Sequence, residues 1–168
     1  MLNVQETFEG STAFGDVELR SDDTRFVASY QTISGGFVHL LGDYQYSQTG
    51  ELNEKEVYSS GYQFPVDMAI GQTVQLNYTD TTTLLPSGTP STRSLTDVVT
   101  FVGFENLTLA GHVFANTCKF TLPTGTAGQV RAVWVAKGFG AIRREWQDTQ
   151  GVMVAGSRVE LATIVSAP

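Results

Sequence analysis

Chemistry in this chain would have to come from a small number of residues. The stretch VWVAKGFGAIRREW, Val133 to Trp146, holds both tryptophans and sets two glycines around Phe139, a composition that invites comparison with a phosphate cradle. A cradle of that kind needs a strand, a Gly-rich loop and then a helix whose amides point at the anion. The residues after Gly140 supply no such helix and no lysine-hydroxyl pair, so the glycines serve backbone geometry. His39 and His112 sit in separate strand-like segments with no carboxylate or nucleophile at a recognised spacing, and each reads as a structural histidine. Asp22-Asp23 and Glu54-Lys55-Glu56 are short carboxylate clusters of the kind that ligate calcium or flank a glycosidic bond, and more often form solvated turns. No Gly-x-Ser-x-Gly, His-Glu-x-x-His or calcium-loop pattern occurs. The single Cys118 excludes an internal disulfide and a cysteine-based metal cluster. It shares an apolar alternation with Phe114, Phe120 and Leu122 and reads as a buried, inert thiol. Asn116 breaks that apolar face, and a bulge there would turn it outward.

The elements that would position these residues follow from periodicity. In TVQLNYT, Val74, Leu76 and Tyr78 alternate with polar residues, and SRVELATIV repeats the pattern through Val159, Leu161, Thr163 and Val165. Similar segments run through TRFVASYQT, GFVHLL, DYQYSQ, DVVTFVGF, HVFANTCKFTL and VRAVWVAK, separated by Ser34-Gly35-Gly36, Thr49-Gly50 and Ala110-Gly111. Only ELNEKEVY, residues 51–58, tolerates a helix, and it is too short to hold one alone. TDTTTLLPSGTPSTRS, residues 79–94, reads as a long polar loop or hairpin tip. The expectation is an all-β chain of about ten antiparallel strands with little helix, a strongly curved sheet forming an open barrel or sandwich, in a single domain over residues 1–168.

Within that sheet the opening stretch becomes a hairpin. A three-residue loop Gly138-Phe139-Gly140 sets Lys137 against Ala141, Trp134 against Arg144 and Ala132 against Trp146. One face would then carry Ala132, Trp134, Ala136, Ile142, Arg144 and Trp146, with Gly140 at the positive φ that a bulged loop requires. Trp134, Arg144 and Trp146 are accordingly the candidate ligand-binding residues, Arg144 either stacking on the indole or reaching an acid or anion.

Composition bounds the partners. At 168 residues, with 41% hydrophobic residues, the chain can fill one core, while a net charge of −7 with only three lysines argues against nucleic acid. No run approaches the roughly 18 apolar residues of a membrane span. MLNVQETFEG lacks the regions of a signal peptide, which fits a cytoplasmic chain or one whose leader or lipid anchor has been removed.

The motifs ENLTLAGHVFANTCKF (105–120) and VWVAKGFGAIRRE (133–145) resemble a bacterial family of secreted or envelope-associated β domains, which carry a Trp-Tyr-Ala-x-Gly-x-Gly-x-basic hairpin after a Pro-Ala-Gly-Thr-Phe strand start. This chain has Val135 where the tyrosine is commoner, and Leu109-Ala110-Gly111-His112-Val113-Phe114 departs from the usual strand start. The resemblance covers roughly the last third of the chain. It implies an antiparallel curved sheet and a periplasmic or extracellular location, and it transfers no catalytic residues.

Three functional expectations follow. The first is a non-catalytic envelope domain for protein interaction or assembly, the second a carrier holding an apolar small molecule against the concave face, the third a hydrolase. The leading expectation names no catalytic residue, no metal and no cofactor.

Overall fold

The computed structural model describes residues 2–86 and 88–161. These residues are all-β, with no helix, and form one twelve-stranded antiparallel sheet. The strands are β1 (Leu2–Phe8), β2 (Ser11–Leu19), β3 (Arg25–Ser34), β4 (Phe37–Tyr46), β5 (Leu52–Tyr58), β6 (Gln63–Pro65), β7 (Thr73–Leu84), β8 (Ser91–Leu109), β9 (His112–Pro123), β10 (Gln129–Ala136), β11 (Gly140–Asp148) and β12 (Val159–Glu160). Their order follows the chain except for β6, which leaves the path to pair with β4. Neighbours in sequence are thus neighbours in space, as short turns between antiparallel strands dictate.

Two compact units divide the chain. One holds Leu2–Asp67 and Gln75–Asp97, the other Met68–Val74 and the described residues from Val98 onward. In the first unit Phe8, Tyr30 and Tyr44 pack ring on ring with centroids 4.7 to 5.1 Å apart. Ala13, Val17 and Ala28 complete this core. Gly42 is obligatory there, since a Cβ on it would lie 2.1 Å from the Glu56 carbonyl oxygen and 2.6 Å from the Phe8 ring. The hydroxyls of the core tyrosines leave the apolar layer for carboxylates, Tyr30 donating to Glu6 at 3.0 Å and Tyr44 to Glu9 at 2.7 Å. In the second unit the core gathers Leu107, Leu109, Phe114, Ala132, Trp134, Ala136, Ile142 and Leu161.

Several expectations change. Of the helix-tolerant residues 51–58, Leu52–Tyr58 form β5, because pairing on both sides, with β4 and β7, overrides weak local preference. GFVHLL and DYQYSQ merge into β4. Most of the supposed long loop is strand, since β7 runs to Leu84 and β8 starts at Ser91, and Thr81 and Thr92 share a 3.0 Å hydroxyl contact between them; residue 87 lies outside the described residues. Alternating Thr and Asp satisfy strand geometry as well as apolar residues do when one face is wet. Of the strand expected over 157–165, Val159–Glu160 is present, and residues 162–165 lie outside the described residues.

Candidate functional site

The tryptophan hairpin is present with a different register. Its loop is Lys137-Gly138-Phe139, closed by the Ala136 and Gly140 pair, and Phe139 N–H donates to the Ala136 carbonyl at 3.0 Å. Gly140 has the expected positive φ, 71°. Past Val135 and Ala141 the register slips, so that Trp134 faces Arg143 and Ile142 is the extra residue of a bulge. One inserted residue reverses the face of everything beyond it. Arg144 therefore faces Val133, and Trp146 faces Arg131.

The three predicted ligand residues accordingly do not share a face. Trp134 points into the core and is 2% exposed, whereas Arg144 and Trp146 point to the opposite face and Trp146 is 47% exposed. Strict alternation had favoured the apolar Trp146 for the core. The bulge instead sends Glu145 and Gln147 inward, both buried. The charge is compensated by Arg158, whose Nε donates to Glu145 at 2.7 Å, and by Gln147 Nε2, also 2.7 Å from Glu145. A buried carboxylate is tolerable only with such partners.

The core face around Trp134 is a charged frame built on one indole. Its two cross-strand neighbours are Lys119 on β9 and Arg143 on β11. Lys119 Nζ lies 4.8 Å and Arg143 Cζ 5.7 Å from the ring, cation–π distances on both sides. Trp134 Nε1 donates to Glu105 Oε2 at 2.7 Å, and Lys119 pairs with Glu105 Oε1 at 3.2 Å. Arg143 donates to Glu160 at 2.9 and 3.0 Å. Every charge in this frame is matched, which makes it a clamp on the hairpin.

The opposite face carries Arg131, Val133 and Val135 from β10, Arg144 and Trp146 from β11, Cys118 and Phe120 from β9 and Phe104 from β8. Phe104 is 57% exposed. Cys118 is half-buried there, and burial pushes its thiol up from the usual value. The expected full burial beside Phe114 is corrected by a second bulge at Asn116, which takes a positive φ of 55° and donates its backbone N–H to Asn106 Oδ1 at 2.9 Å. That bulge puts Thr117 on the buried side in place of Cys118.

A groove of about 540 Å³ lies in the other unit, its lining including Glu54, Glu56, Thr82, Leu84, Thr89 and Arg93. Burial and the like charges of Asp43 and Asp80 push the Glu56 carboxyl up. A raised carboxyl suits proton transfer, yet its neighbours are committed elsewhere. The Tyr58 hydroxyl donates to Asp43 and lies 3.1 Å from Glu56 Oε2, and Arg93 pairs with the buried Asp80 at 2.7 Å. His39 Nε2 is bonded to Ser34, and His112 packs edge-on against Phe114, so neither joins this groove. Asp22 accepts hydrogen bonds from Thr24 in a turn.

No family model, curated protein or solved structure matches the chain.

Sequence reasoning missed Glu105, Lys119, Arg143 and Glu160 as a set, because they come from four strands that only sheet order brings together.

Proposed function

We propose that this chain is a non-catalytic interaction or assembly domain of a bacterial envelope, meeting a protein partner through the face that carries Trp146. The supporting observation is the half-exposed Trp146, cross-strand from Arg131 and two residues from Arg144. Tryptophan and arginine are the residues that most often dominate the energy of protein interfaces, and they do so from an apolar surround such as Phe104, Phe120 and Val133. The envelope location rests on the motif resemblance in 105–120 and 133–145.

The test is site-specific photo-crosslinking in cells of the source organism. A photoreactive residue at Trp146 should yield a discrete protein adduct, while the same residue at Phe26, exposed in the other unit, should not. Equal labelling from both positions, or none from Trp146, would sink the reading. A small apolar adduct at Trp146 would favour a carrier instead.

A further inference from the structure

We infer that β1 is a docking edge for a second copy of this chain, the two β1 strands pairing antiparallel about a two-fold axis at Gln5. This surface is separate from the Trp146 face and stands or falls without it.

Turn chemistry decides which groups β1 offers. The β1–β2 hairpin closes through Glu9 and Gly10, both at positive φ (47° and 82°), with Phe8 facing Ser11. In a two-residue turn of this kind the closing pair exchanges both backbone hydrogen bonds, and the bonded pairs then alternate along the ladder. Phe8, Glu6, Val4 and Leu2 therefore spend their N–H and C=O groups on β2. Asn3, Gln5 and Thr7 direct theirs away from β2, at an edge that is open among the described residues, where β1 stands at the end of the strand order.

Edges exposed in this way are usually blunted by lysine, proline, a bulge or shortness. β1 reads LNVQETF, with neither lysine nor proline, and its register with β2 is unbroken over seven residues. At the other end of the order β12 has two residues among those described. The one charge on β1, Glu6, is held by the Arg25 guanidinium and by Tyr30, so the edge presents no unmatched charge.

Self-pairing is selected by register. With the axis at Gln5, Gln5 faces Gln5 of the partner subunit, and Asn3 faces Thr7 of the partner subunit, in both directions. Three facing pairs exchanging two bonds each use every outward group, about six hydrogen bonds in all. The same register sets Leu2 beside Phe8 of the partner subunit and Val4 beside Glu6 of the partner subunit, so like charges do not meet. Centring on Glu6 would oppose two carboxylates and leave Asn3 unpaired; centring on Val4 would leave Thr7 unpaired. The strand is complementary to itself in one register.

The contact is small, so association should appear only at high protein concentration. Sedimentation equilibrium of the full chain should show the mean mass rising from one chain toward two between roughly 10 μM and 1 mM. Gln5→Pro removes an N–H that the monomer does not use, and edge positions of that kind accept proline. It should therefore unfold at the wild-type denaturant midpoint yet stay monomeric throughout. Gln5→Lys places like charges across the axis and gives the same readout if the proline variant fails to fold. Wild-type protein that remains monomeric at 1 mM, or self-association that survives in a folded Gln5 variant, would overturn the proposal.

Discussion

Trp134 Nε1 donates a 2.7 Å hydrogen bond to Glu105 Oε2, reaching from β10 to β8 over the intervening β9. The bond ties three strands through one indole that is itself bracketed by Lys119 and Arg143. It also separates the two tryptophans into a structural residue and a surface one.

The separation is measurable. Trp134→Ala should cost about 3–5 kcal/mol of unfolding free energy through the cavity it leaves, and Trp134→Phe about 1–2 kcal/mol through the lost hydrogen bond to Glu105 and the smaller ring. Trp146→Ala should cost under about 1 kcal/mol. Acrylamide should quench Trp146 and spare Trp134. Equal quenching of both tryptophans would contradict their opposite faces.

At the hairpin itself, Gly140→Val should destabilise by about 1–3 kcal/mol, because a β-branched residue resists the 71° φ. Arg143→Ala should cost about 1–2 kcal/mol by removing the Glu160 pair and one side of the Trp134 bracket. Denaturant midpoints report both. An Arg143→Ala variant as stable as wild type would show that the clamp contributes nothing.

Glu56 gives a pH dependence of known sign. Its carboxyl is pushed up by burial, Asp43 and Asp80, so the folded state holds this proton more tightly than the unfolded chain does. The stabilising contribution is full below the ordinary carboxylate range and is lost as pH rises through the folded value. Glu56→Gln should therefore raise the unfolding midpoint at pH 7 and converge with wild type near pH 4. Glu6 and Glu9 work the other way: hydrogen bonds from Arg25 and Lys55 hold their carboxyls below the usual value. Their contribution is present at neutral pH and is lost on acidification. A Glu56→Gln midpoint below that of wild type at pH 7 would refute the assignment.

Thiol labelling tests the bulge at Asn116. Half-burial and a raised thiol should slow Cys118 by roughly tenfold against the unfolded chain while leaving the reaction measurable. Complete protection in the native protein would place Cys118 back in the core and remove the bulge.

Alternation in TVQLNYT and VRAVWVAK, the turn glycines and the near absence of helix-favouring runs were enough to read an all-β antiparallel chain, since a period of two and a positive φ are local properties. The positive φ at Gly140 and the bulge at Asn116 were legible for the same reason. What tertiary structure alone decided was which face each residue beyond a bulge would occupy. Ile142 inserts into β11 because Glu145, turned inward by that insertion, finds Arg158 and Gln147. Such a partner, thirteen residues away and outside the hairpin, leaves no mark on local alternation. The same holds for Glu105, Lys119, Arg143 and Glu160, four charges on four strands whose only common feature is their distance from Trp134. Burying a carboxylate is unfavourable until its cation is in place, and the cation's place is set by strand order and bulges acting together.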